Sequence, residues 1–212
     1  MSIWSVTAPS WRLQEALARP LPGLPAQLRM APDPRPGTER ILEPGLDCRR
    51  AGVLVLLYPG AAGASLVLTR RTDTVESHRG QVSFPGGSLD DGEDAEAAAL
   101  REGWEEVAVD PAAVRVLGRL SPLYIPPSRF CIYPVVAEAA QPLSFRPNPR
   151  EVARVIEAPL ALLADPATRR EEWWQVRGEP VRVPFYAVEE HKVWGATAMV
   201  LAELLAVLEE LE

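Results

Sequence analysis

Glu102, Glu105 and Glu106 lie within the stretch "REGWEE", at spacings of three and four residues. On a helix, those spacings set carboxylates beside one another on one surface. They also fall near a helix C-terminus, where the dipole is negative and disfavours them. Two chemistries fit such a cluster. One is a solvated acidic face. The other is a divalent-cation site, because hard cations such as Mg²⁺ take oxygen ligands and turn the repulsion into attraction. Upstream, Pro85, Gly86 and Gly87 read as a turn whose glycines let backbone approach a ligand, with the Gly86 carbonyl a further candidate ligand. Arg101 and Glu93, about two turns apart, read either as an ion pair that holds the helix start or as an ordinary surface salt bridge.

The element that positions these groups is a helix expected from near Glu93 to about Val107. Ala97, Leu100, Trp104 and Val107 fall in a sector of roughly 80°, an apolar stripe expected to bury against a sheet with Trp104 as its anchor. The three glutamates then face outward. Before the helix, "AGVLVLLYP" and "ASLVLTRR" read as two strands around a "GAAG" turn, and "QVSF" as a third. After it, "AAVRVLGRL" and "FCIYPVVAEA" read as strands, and "VARVIEAPLALLAD" as a strand that passes into a short helix near Pro159. "WWQVRG" and "VRVPFYAVEE" read as a hairpin, and "ATAMVLAELLAVLEELE" as a terminal amphipathic helix. This order predicts an α/β domain with a mixed sheet between helical layers.

Residues 1–50, with eight prolines between Pro9 and Pro44, read as an extended arm with one short helix at Trp11 to Ala18, packed on a domain formed by residues 51–212. The net charge of −7 argues against nucleic acid as a partner and requires local cations or a metal for any anionic substrate. Cys48 and Cys131 are too few for a disulfide framework, and a reducing cytoplasm fits better than an oxidising compartment, with one isolated bridge left open. No signal-like or membrane-spanning segment is evident, so a soluble cytoplasmic protein is expected, with a homodimer left open.

The spacing Gly87, five residues, Glu93, seven residues, Arg101-Glu102, two residues, Glu105-Glu106 resembles the Nudix box. The chain departs from that pattern at Gly103, where an aliphatic or small residue is usual, and at Ala108, where glycine is usual. The resemblance implies a Nudix-type α/β/α sandwich and metal-dependent hydrolysis of a nucleoside diphosphate linked to a further moiety. It implies Glu102 and Glu106 as the main Mg²⁺ or Mn²⁺ ligands, Glu105 as a third ligand or general base, and Arg101 as a catalytic residue beside them.

The preceding "LVLTRRTDTVESHRGQVSFPGG" resembles the motif of the coenzyme A pyrophosphatase branch at Leu68, Thr69, Arg71, Gly80, Phe84, Pro85, Gly86 and Gly87. Thr72 replaces a small residue there, and Glu76 stands where a second arginine is usual. Further similarity to the branch lies in "SPLYIPPSRFCIYPVV", "NPREVARVIEAPLALL" and "HKVWGATAMVL". The resemblance implies a substrate site at Arg71 and Gly80, with Arg70 adding local positive charge and His78 or Arg79 standing in for the missing arginine, and with Glu151 a candidate base, or an acid supporting the site, outside the box. It implies cleavage of coenzyme A, or its acyl and oxidised forms, to 3′,5′-ADP and 4′-phosphopantetheine. The alternatives are hydrolysis of ADP-ribose, NADH or a dinucleoside polyphosphate, and a Nudix-fold sensor that binds a nucleotide without cleaving it.

Overall fold

The computed structural model describes residues 10–35, 47–72, 80–176 and 178–211. Along the chain these form α1 (Ser10–Leu17), α2 (Gly23–Gln27), β1 (Arg49–Gly60), β2 (Gly63–Arg71), β3 (Val82–Ser83), β4 (Gly86–Ser88) and α3 (Ala95–Val107). There follow β5 (Val114–Arg119), β6 (Leu123–Ile125), β7 (Phe130–Ala139), β8 (Val152–Pro159), α4 (Leu160–Ala164), β9 (Arg169–Val176), β10 (Glu179–Val188), β11 (His191–Trp194) and α5 (Gly195–Glu209).

The larger sheet runs β3-β2-β1-β7-β5, with β4 joined to β1, β6 to β7 and β8 to β2. Among the described residues only β1 and β7 pair in parallel, from Arg49 opposite Phe130 to Leu57 opposite Glu138. The others are antiparallel, so the sheet is mixed. Strand alternation divides β1 between two cores. Leu54 and Leu56 join Val67, Val135 and Ala137 against Ala99 and Val107 of α3. Val55 joins Leu66, Leu68 and Val136 against Ala198, Leu201 and Leu204 of α5. The result is the expected α/β/α layering. A smaller antiparallel sheet, β11-β10-β9, contains the expected hairpin as β9 and β10, with β9 starting earlier than expected, and adds one strand that the sequence did not announce, β11.

The described part of the N-terminal arm packs through Leu13, Leu17 and Met30, which share the α5-side core. A buried polar knot fixes it. Glu203 of α5, fully buried, accepts from the Gly23 amide at 3.1 Å, the Ser121 amide at 3.1 Å and the Gln27 side chain at 2.8 Å. Three donors satisfy a carboxylate that burial alone would penalise.

Three expectations are corrected. Gly86 and Gly87 are not a bare turn but belong to β4, with Val53 opposite Gly86 and Gly52 opposite Gly87. The strand lies so close to β1 that a Cβ at Gly86 would come within 2.5 Å of the Gly52 carbonyl oxygen.

The buried stripe of α3 is Ala95, Ala98, Ala99, Gly103, Glu106 and Val107, while Ala97 is exposed and Trp104 is 54% exposed. Close approach decides this. A Cβ at Gly52 would overlap the Ala95 carbonyl, and one at Gly103 would sit 2.6 Å from Leu54 Cδ2. The helix therefore lies on the sheet through its small residues, and rotation about that contact turns Trp104 out and Glu106 in.

Cys48 and Cys131 form a disulfide joining the chain just before β1 to β7, with Cα atoms 5.7 Å apart. The cysteines are not reduced, and the expectation of cytoplasmic residence loses the support it drew from them. No helix among the described residues is long and apolar enough to cross a membrane.

Candidate active site

Helix α3 starts cleanly because the Asp94 side chain accepts from the amides of Glu96 and Ala97, both at 2.9 Å. It stops at Ala108, which takes the left-handed conformation at φ 58° and returns its amide to Trp104 at 2.9 Å. Between these ends, the rotation set by Ala98, Ala99 and Gly103 aims Glu102 and Glu106 toward β4 and the 146–151 loop. Glu102 lies against Gly87, where a Cβ would overlap its carboxylate. Glu106 is 2% exposed.

The loop after β7 is bound to the end of this helix. The Arg146 amide donates to the Val107 carbonyl at 3.0 Å and the Asn148 amide to the Glu106 carbonyl at 2.8 Å. Asn148 then turns the chain, its carbonyl accepting from the Glu151 amide at 3.1 Å and the Val152 amide at 2.8 Å. From the other side, the Thr72 amide donates to the Glu151 carbonyl at 2.9 Å. Glu151 is thus held against α3, and carboxylate oxygens of Glu102, Glu106 and Glu151 lie within 4.8 Å of one another.

Burial dominates the electrostatics here. Desolvation pushes the Glu106 carboxyl up to about 8; Arg71 opposes this, and the charges of Glu102 and Glu151 add to it. Glu102 is raised as well, first by burial, against the pull of Arg101. Glu106 Oε1 lies 3.6 Å from Arg71 Nη1, and its Oε2 is buried without a hydrogen-bond partner. A buried acceptor left unpaired beside two further carboxylates is a costly arrangement in isolation. It is the arrangement that a divalent cation relieves, so this donor set fits one.

Arg101 braces the group. Its Nε and Nη2 reach the two oxygens of Glu93, both at 3.0 Å, its Nη2 also donates to the Ser88 carbonyl at 3.0 Å, and its Nη1 reaches Glu102 Oε1 at 3.0 Å. The arginine holds Glu93 well below the usual carboxylate range. The pairing of Arg101 with Glu93 is more than a surface salt bridge, because one guanidinium joins the helix start, β4 and a member of the carboxylate group.

Glu105 stands apart. It is exposed, 3.4 Å from Arg101 Nη1, and outside the Glu102, Glu106 and Glu151 group. Gly86 lies beside that group, and its amide favours the ionised form of Glu106.

Arg71 also lines a cavity of about 770 Å³, together with Phe84, Gly86 and Gly87 of the second motif. Arg70 does not line it and instead sits opposite Val82 and Arg154 in the sheet. Gly80 is a turn residue at φ 64° before β3 and also lies off the cavity wall. His78 and Arg79, together with Glu76, lie outside the described residues. The sequence reading missed the fastening role of Asn148 and the cavity walls at Phe130, Ile132 and Trp194. Alternation in "FCIYPVV", which sends Phe130 and Ile132 to one side, is the signal that pointed to the walls on β7.

Comparison with known proteins places this geometry. The NUDIX domain family matches residues 49–176. The uncharacterized Nudix hydrolase NudL of Photorhabdus laumondii is 39% identical over 141 residues, 66% of this chain and 75% of that protein. The NudL protein of Escherichia coli K12 is 38% identical over 164 residues, 75% of this chain and 82% of that protein. Among solved structures, the Nudix hydrolase RenU of M. smegmatis aligns with a TM-score of 0.47 at 27% identity, covering 55% of this chain and 74% of that one. Nudix hydrolases generally use divalent metals, in keeping with the carboxylate group described above. The chain belongs to the Nudix family and is a hydrolase of pyrophosphate bonds in small nucleotide molecules.

Proposed function

We propose that the substrate is coenzyme A, including its acyl and oxidised derivatives, and that hydrolysis yields 3′,5′-ADP and 4′-phosphopantetheine. The observation that carries this reading is the position of Arg71. It belongs to the motif that resembles the coenzyme A pyrophosphatase branch, reaches Glu106 at 3.6 Å, and lines the cavity with Phe84, Gly86 and Gly87 of the same motif. The two motifs therefore meet at one guanidinium.

In this reading Glu102 and Glu106 hold the metal, with Glu151 beside them. Mg²⁺ or Mn²⁺ bound there supplies charge neutralisation for the pyrophosphate and makes water acidic enough to attack at neutral pH. Arg71, between Glu106 and the cavity, binds a phosphate oxygen. Arg101 keeps Glu102 in place through Glu93 and Ser88. Glu151, which enters from the loop and not from the helix, takes the proton of the attacking water. Glu105 acts through Arg101.

The test is a panel of coenzyme A, ADP-ribose, NADH, a diadenosine polyphosphate and oxidised dGTP with Mg²⁺ or Mn²⁺, read by chromatography of the products. Coenzyme A is expected to have the highest kcat/KM. A clear preference for any other member of the panel contradicts the reading.

A further inference from the structure

The cavity draws its wall from two parts of the chain. Arg71, Phe84 and the β4 glycines lie inside the family match at 49–176, whereas Trp194, Ala196, Thr197 and Val200 lie beyond it. The outer wall is firmly placed. The Trp194 ring meets Trp174 edge-on at 4.9 Å and 74°, and the Thr197 hydroxyl donates to the Val82 carbonyl at 3.0 Å. Ile125, Phe130 and Ile132 of β6 and β7 also belong to the lining. Among the described residues, Arg71 is the one cationic side chain in the lining, and no carboxylate lines it.

Resting on the coenzyme A reading above, we propose that this cavity receives the uncharged, non-nucleotide arm of the substrate, pantetheine with any acyl group on its sulfur, and that Trp194 is the specificity-determining residue for that arm. The charge balance decides between the two halves of the molecule. The nucleoside half carries a 3′-phosphate, and the described wall, apolar with a single guanidinium that already faces Glu106, does not offset the cost of drying that dianion. Pantetheine is a neutral chain of methylenes and amides. It gains from the apolar walls, and Gln81, Ser83, Ser88 and Ser128 offer hydrogen-bonding groups along the lining. The volume of about 770 Å³ lies within the range of ligand-binding cavities. Substrate choice is then written outside the shared core, on a wall that other members of the family need not have.

Calorimetry on the full chain with two probes, 4′-phosphopantetheine and 3′,5′-ADP, separates the halves without any need for turnover. Trp194→Ala is expected to weaken phosphopantetheine binding about tenfold or more while leaving 3′,5′-ADP unchanged, and Trp194→Phe to restore most of the loss. Ile132→Trp, which fills the cavity from β7, is expected to give the same selective loss. In turnover, Trp194→Ala raises KM for coenzyme A with kcat within about threefold of the parent. Failure of phosphopantetheine to bind the parent protein, or a loss in Trp194→Ala that falls on 3′,5′-ADP, overturns the assignment of the arm. Absence of coenzyme A hydrolysis in the presence of selective phosphopantetheine binding overturns the proposed reaction and leaves the assignment of the arm standing.

Discussion

The amide of Asn148 donates to the carbonyl of Glu106 at 2.8 Å, so the loop carrying Glu151 is fastened to the last turn of the helix carrying Glu102 and Glu106. Residues 45 positions apart in sequence, Glu106 and Glu151, become one carboxylate group through a backbone bond that no side-chain pattern announces. The same bond satisfies one of the carbonyls that a helix leaves unpaired at its C-terminus. Capping the helix and assembling the site are therefore one event.

The buried carboxylate sets a pH dependence. In metal-free protein, Glu106 keeps its proton up to about pH 8, whereas an unfolded glutamate loses it near the ordinary value of 4.5. Its contribution to stability is full below 4.5 and is lost as pH rises through about 8. Glu102 is shifted in the same direction. Glu93, Asp94, Glu172 and Glu190 are shifted downward and act only below the ordinary carboxylate range. Thermal melts in chelator should therefore fall in midpoint from about pH 5 to about pH 8, with the slope reduced by metal or by Glu106→Gln. An equal slope in Glu106→Gln contradicts this.

Arg101→Lys should cost more than its conserved charge suggests. A lysine cannot bridge both oxygens of Glu93 and also reach Glu102. We expect kcat to fall about ten- to a hundredfold, as for other residues that orient metal ligands, with KM little changed. Glu93→Gln should behave similarly, and a lysine variant as fast as the parent removes Arg101 from the account.

Ala108→Gly tests the end of the helix. Ala108 sits at φ 58°, where a Cβ costs roughly 1 kcal/mol and glycine pays nothing. The substitution should raise stability in denaturant by about 1 kcal/mol without changing turnover. Destabilisation would show that the alanine methyl contributes packing that outweighs the backbone cost.

Much of the site was legible because helix α3 announces itself locally. Asp94 caps it, its charged positions recur at helical spacing, and Gly87 of β4 leaves room for Glu102. The orientation of the helix was not legible. Apolar weighting favours burying Trp104, but contact distance favours Ala95, Ala98, Ala99 and Gly103, and distance appears only once β1 is beneath them. The strand β11 was hidden because its four residues, His-Lys-Val-Trp, carry little periodicity. The pairing of Cys48 with Cys131 depends on the parallel register of β1 and β7, a relationship between segments 83 residues apart.

That disulfide closes a long loop, and its removal should cost roughly 4 kcal/mol by the loop-entropy argument. Reductant should lower the melting temperature of the parent protein and leave the Cys48→Ser, Cys131→Ser double variant unaffected. An unchanged melting temperature in the parent, with free thiols verified, contradicts the expected contribution.

In the proposed site Glu102 and Glu106 hold the metal and Glu105 does not. Titration of Mn²⁺ followed by electron paramagnetic resonance, on the parent, Glu106→Gln and Glu105→Gln, tests it directly. Glu106→Gln is expected to weaken Mn²⁺ binding by about tenfold or more, and Glu105→Gln to stay within about threefold of the parent. Parent-like binding in Glu106→Gln, or the larger loss in Glu105→Gln, would contradict it.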